Sequence, residues 1–259
     1  MRTTKKSTLA GVVGLTTTAA ATLILAIPGS AGATPVPIDP VERYELYLKD
    51  KEASGDTEAA EVLNKFQDFP EEKQEAFVEY INDPEVNKAF AEALSSDNGD
   101  PEGTGDEENY PAEQRKELYG GDVVIESEYH SEPLGDTGSR STIGAGTQGI
   151  AADWRAWHSV ADTVFGVKVT KVTVGVNYRT STSRTTKVYS GWAGQSNFVP
   201  GVSFENDPVK KWISADPANN AHAETVWKGK LAGGVYTWSC RHRVWADQDG
   251  YKGGYLKRI

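Results

Sequence analysis

The sequence predicts an α+β protein whose two kinds of structure lie in separate segments: a small acidic N-terminal helical bundle, then an antiparallel, Trp-rich β-sandwich of immunoglobulin-like type. Three observations predict it. Between residues 38 and 94, apolar side chains recur at helical spacing behind start signals. From residue 151 the apolar pattern changes to period two. The charge divides with the pattern: residues 34–120 hold 24 Asp and Glu against 8 Lys and Arg, a net of −16, whereas residues 150–259 hold 8 against 15, a net of +7. The whole-chain charge of −10 conceals this split.

The helical half, expected over residues 34–96, divides into four runs. Asp39 and Pro40 open the first as cap and first helical residue, with Glu42 placed as in a capping box; Tyr44, Tyr47 and Leu48 share a face. Gly55 and Asp56 precede the second, which aligns Ala59, Val62, Leu63 and Phe66. Pro70 opens the third, with Phe77, Val78 and Ile81 aligned, and Asp83 and Pro84 open the fourth, with Val86, Phe90, Ala93 and Leu94.

Residues 97–150 read as a flexible linker. The run SSDNGDPEGTGDEEN over 95–109 has no apolar side chain, and residues 131–149 are rich in Gly, Ser and Thr. Within the linker, residues 111–119 suit a short helix and residues 123–125 an isolated strand.

The β-segment is expected over residues 151–259. Val172, Val174, Val176 and Tyr178 alternate with polar residues, while Val167 and Val169 alternate in the opposite phase, as a β-bulge requires. In the last clear strand, residues 235–244, Tyr236, Trp238, Cys240, His242 and Val244 share one face, and Thr237, Ser239, Arg241 and Arg243 the other. All seven tryptophans lie between residues 154 and 245. A domain without disulfides needs such apolar bulk, so most of them are expected in the core.

Residues 1–33 read as a cleaved signal peptide, which predicts a secreted, extracellular bacterial protein. Arg2, Lys5 and Lys6 precede an uncharged apolar stretch, and Ala31, Gly32 and Ala33 form a small-residue cleavage site. Cys240 is the one cysteine of the chain, so no intramolecular disulfide can form.

Motifs for chemistry are sparse. The GAGTQG run at residues 144–149 matches a dinucleotide-binding pattern, but no strand precedes it and no βαβ unit follows. Asp247, Gln248, Asp249 and Gly250 read as a turn whose carboxylates suit a hard cation, without the ligand spacing of a calcium loop. Cys240 and His242 stand two apart on one strand face, which permits a thiol–imidazole pair; their apolar neighbours favour a core position. No catalytic residue, metal site or cofactor is assigned.

The expected function is a secreted, non-catalytic binding protein. Its β-segment would meet a cell-surface polymer or protein through Arg241, Arg243, Trp245, Tyr251 and Tyr255, the last two in a glycine-rich tail expected to be exposed. The charge split adds a contact between the acidic helices and the basic β-segment. Neither nucleic acid nor stable membrane insertion is expected. Two further readings are a toxin or bacteriocin-like protein masked by an acidic pro-segment, and a carbohydrate- or cell-wall-active enzyme built on a carboxylate pair.

Overall fold

A computed structural model describes residues 38–92, 115–134, 151–231 and 237–259. The expected signal peptide, Ala93, Leu94, the GAGTQG run, Tyr236 and much of the expected linker lie outside the described residues. Four helices follow the sequence signals: α1 (Pro40–Ala53), α2 (Thr57–Gln67), α3 (Glu71–Asn82) and α4 (Pro84–Glu92). The Asp39 carboxylate accepts the Val41 amide at 2.8 Å and that of Asp56 accepts the Ala59 amide at 3.1 Å. Each cap satisfies an amide with no partner inside its helix. Gly55, at φ 93°, reverses the chain between α1 and α2. The apolar stripes meet: Tyr44, Phe66 and Phe77 are buried, with the Phe66 ring 5.0 Å from Tyr44 and 5.2 Å from Phe77, both edge-on. Among the described residues no helix is long and apolar enough to cross a membrane.

Two antiparallel sheets make up the rest. The first contains β1 (Arg115–Leu118), β2 (Val123–Leu134), β3 (Asp153–Val164), β4 (Val167–Thr180) and β5 (Thr185–Asn197), paired in chain order. The second contains β6 (Val202–Asn206), β7 (Lys210–Ile213), β8 (Ala221–Leu231), β9 (Thr237–Asp247) and β10 (Gly250–Arg258), in the order β10-β9-β8-β6, with β7 also paired to β8. Each sheet is therefore a run of consecutive strands. The immunoglobulin-like type instead exchanges strands between sheets in a Greek key, so the strand order departs from that expectation.

Three local expectations are corrected. Residues 115–118, expected as helix, are a strand paired with β2, and a 3₁₀ turn at Tyr119–Gly121 follows. Gly120 and Gly121, at φ 70° and 102°, end any helical path there. Residues 123–125 are not an isolated strand but the start of twelve-residue β2, whose polar outer face hides its period. The glycine-rich tail, expected to be exposed, is strand β10, paired along β9 with Tyr255 buried.

The phase switch near Val169 is a bulge: Asp162 pairs with Thr170, but Thr163 pairs with Lys168. Past it, the inner face of the first sheet changes partner. Val160, Val172, Val174, Val176 and Tyr178 pack on Trp227, Trp238, Cys240, Val244 and Leu256 of the second sheet. Val123, Val164, Val167 and Val169 pack instead on the helices. This second seam is apolar, with the Phe165 ring 6.0 Å from Phe69 and 5.6 Å from Tyr80. Helices and second sheet thus share one face of the first sheet, and burial of apolar surface holds both there.

Three tryptophans lie flat across a glycine of the neighbouring strand: Trp192 on Gly175, Trp238 on Gly229 and Trp245 on Gly253. A Cβ on Gly229 would come within 2.2 Å of the Trp238 ring. Gly229→Ala is therefore expected to destabilise by about 2–3 kcal/mol, the cost of overpacking a core, as read from the urea midpoint.

Candidate functional site

Of the five residues singled out in the sequence, Arg241, Arg243, Trp245 and Tyr255 lie on the outer face of the second sheet, but as a packed layer. Trp245 and Tyr255 are only 2 % and 4 % exposed. In this layer Trp212 stacks on His222 at 4.7 Å, and His222 lies 6.3 Å from Trp245. The Arg243 guanidinium sits over the Trp212 and Tyr255 rings at 5.2 and 5.5 Å, and its Nε donates to Glu224 at 2.8 Å. The rings shield a charge pair whose halves are both largely buried. Arg241 also approaches Glu224, at 4.0 Å. Tyr251 is elsewhere: it stacks on Tyr129 at 4.4 Å where β2 meets the edge strand β10 of the second sheet. Two lysines of the same sheet are paired, Lys228 with Asp207 at 2.5 Å and Lys252 with Asp247 at 3.2 Å and Asp249 at 3.5 Å. The Lys252 ammonium thus bridges the two carboxylates of the expected cation turn.

Cys240 and His242 both lie in the core. Both His242 nitrogens are engaged: Nδ1 accepts the Trp227 indole N–H at 3.1 Å, and Nε2 lies 2.8 Å from His158 Nδ1. Indole only donates, so the His242 proton sits on Nε2 and is given to His158. Neither His242 nitrogen is left for the thiol, and burial pushes the Cys240 pKa up to about 12; both features oppose a thiolate–imidazolium nucleophile. Among the described residues no three His, Cys, Asp or Glu side chains gather as a metal site.

The exposed aromatic row lies on the other sheet. On the outer face of the first sheet the cross-strand register reads His130, Trp157, Gly175, Trp192. His130 is exposed, and both tryptophans are partly exposed. The His130 and Trp157 rings lie 4.4 Å apart, and the Trp157 and Trp192 rings 6.4 Å apart with planes inclined at 52°. Gly175 makes the row: without a side chain it lets the Trp192 indole lie against the sheet beside Trp157.

The next row reads Glu132, Arg155, Asn177, Ser190. Asn177 Nδ2 donates to Ser190 Oγ at 3.0 Å, its Oδ1 accepts from Arg155 Nε at 3.4 Å, and Arg155 meets Glu132 at 3.7 Å. Beyond it Arg179 holds Asp153 through two bonds of 2.7 and 2.8 Å, and Tyr189 donates to the same carboxylate at 2.9 Å. The Arg179 and then the Tyr189 hydrogen bond keep the Asp153 carboxyl below the usual range. On the other flank, burial pushes the Glu128 carboxyl up, but the Lys168 and Lys171 cations outweigh it, and its pKa is lowered. Sequence reasoning missed this row because its aromatic members come from three strands that are far apart in the chain. The available signal was the outward phase of Trp157 on a strand whose other phase, Trp154, Ala156, His158 and Val160, is uniformly core-like.

Compared with protein-family models, curated proteins and solved structures, the chain matches none.

Proposed function

We propose that this is a secreted, non-catalytic binding protein whose β-sandwich holds a cell-surface polymer on the outer face of its first sheet. The observation that carries this reading is the partly exposed row of His130, Trp157 and Trp192 beside the polar row of Arg155, Asn177 and Ser190. Indoles present an electron-rich face to the polarised C–H bonds of a sugar ring, and adjacent amide and hydroxyl groups fix its orientation. A sheet sets both rows at fixed spacing, so little ordering entropy is lost on binding.

The binding residues expected on the second sheet pass to a structural role in this reading, since Trp245, Tyr255 and Arg243 are occupied with one another. The shared helix–sheet core favours a permanent helical segment over a removable mask. The test is a polysaccharide array probed with the full chain and with Trp157→Ala/Trp192→Ala. Retention that falls at least tenfold in the double variant supports the proposal; equal retention by both proteins counts against it. A tenfold loss corresponds to about 1.4 kcal/mol, a modest figure for two stacking rings.

A further inference from the structure

Resting on that reading, we infer that the polymer is an uncharged polysaccharide, taken as a single dissolved chain rather than as a flat crystalline surface. Two independent observations carry this: the pairing of charges around the aromatic row, and the inclination of its two indoles.

An anionic polymer is held by cations that have no protein partner of their own. Among the described residues, five cations on the flanks of this row have carboxylate partners. Arg115 meets Glu126 at 2.8 Å, Lys168 and Lys171 meet Glu128 at 3.0 and 3.7 Å, Arg155 meets Glu132 at 3.7 Å, and Arg179 meets Asp153 at 2.7 Å. Lys187, at the hairpin end, lies 5.0 Å over the Tyr189 ring. The carboxylates that repel an anion stand as close to the aromatic row as the cations do. What such a border offers is directed donors and acceptors: guanidinium N–H groups, carboxylate oxygens and the Asn177 amide. These suit the hydroxyl groups of a neutral sugar, each of which both donates and accepts.

Ring geometry gives the physical state. A crystalline surface is a plane, and it stacks on two rings at once only if they are nearly coplanar. The Trp157 and Trp192 planes are inclined at 52° and their centroids are 6.4 Å apart. Two faces at that angle form a shallow cradle that follows a single twisted chain, with neighbouring sugar rings each meeting one indole.

The test is affinity electrophoresis of the full chain. The gels contain hydroxyethylcellulose, mixed-linkage β-glucan, glucomannan or soluble starch as neutral polymers, or polygalacturonate as the anionic one. Each gel is run at low and at 0.5 M NaCl, alongside a pull-down on crystalline cellulose and crystalline chitin. The expected result is retardation by at least one neutral polymer, unchanged by salt because no net charge is exchanged, lost in Trp157→Ala, and absent on the crystalline powders. Retardation by polygalacturonate alone, suppression by salt, or binding to a powder without binding to any dissolved chain overturns this inference. If such binding is still lost in Trp157→Ala, the polymer-binding reading survives. No retention by any polymer overturns both. The wild-type salt and polymer comparisons do not depend on how well the variant folds.

Discussion

His242→Ala is expected to lower the stability of the folded chain by about 4 kcal/mol or more, measured by urea unfolding. The imidazole sits at the centre of a buried chain, Trp227 to His242 to His158, and His242 and Trp227 are wholly buried. Its removal leaves the Trp227 N–H and the His158 Nδ1 without partners in a place water does not reach. Each orphaned group costs about 1–3 kcal/mol, and the emptied volume adds a cavity cost. His242→Gln is expected to recover part of the loss, since an amide also both accepts and donates. The loss is specific to the pair: a His158→Ala variant orphans only the His242 Nε2–H and falls by less. Equal losses for the two alanine variants would show that volume, not the hydrogen-bond chain, sets the cost.

Stability is also expected to fall steeply as the solution is acidified below about pH 6.5, the ordinary histidine pKa. Burial lowers the pKa of His158 to about 3; burial and then the Arg243 charge lower that of His222 to about 3. Burial and then the His158 ring lower that of His242 well below the ordinary value. A lowered histidine pKa means that the unfolded chain binds a proton the native state refuses. Its contribution is complete above about pH 6.5 and is lost as pH falls below it. Asp162 acts in the opposite sense. Burial raises its pKa to about 7, so its native proton favours the fold at low pH and that contribution is lost between about pH 4 and pH 7. Between about pH 4 and 6 the three histidines outweigh Asp162 and Asp247, whose carboxyl pKa burial also raises, and unfolding takes up between about one and two protons net. Stability then falls by roughly 2 kcal/mol per pH unit, a large part of an ordinary domain's total. Asp162→Asn is expected to steepen that slope. A flat stability profile between pH 4.5 and 6.5 would falsify the assignment of neutral buried imidazoles.

How far the fold was legible in the sequence follows from which signals are local. Helix caps are local, so Asp39, Asp56 and Asp83 marked their helices. The phase switch at Val169 is local too, and it marked the bulge. Strand β2 was not legible beyond residues 123–125, because its outer residues Glu126, Glu128, His130 and Glu132 answer to solvent and to neighbouring strands, not to a period of their own. Strand β10 was hidden by Gly253 and Gly254, which carry no side chain to show a strand period. Those glycines are present because the Trp245 and His158 rings lie against them. The charge split was legible as composition but gave no geometry: the helices meet the sheet through Phe69, Tyr80 and Phe165. The candidate site is the extreme case. Its rows run across strands, so residues such as His130, Trp157 and Trp192 become neighbours only through register.

In the proposed function Trp157 and Trp192 form the binding surface, and tryptophan emission reads it directly. Trp154, Trp227, Trp238 and Trp245 are buried, and Trp212 is stacked on His222. Titrating the full chain with a neutral soluble polysaccharide is expected to shift and saturate the emission. The shift should persist in Trp212→Phe and vanish in Trp157→Phe/Trp192→Phe. A shift of full size in that double variant, or one abolished by Trp212→Phe alone, would move the binding surface away from Trp157 and Trp192 to the second sheet.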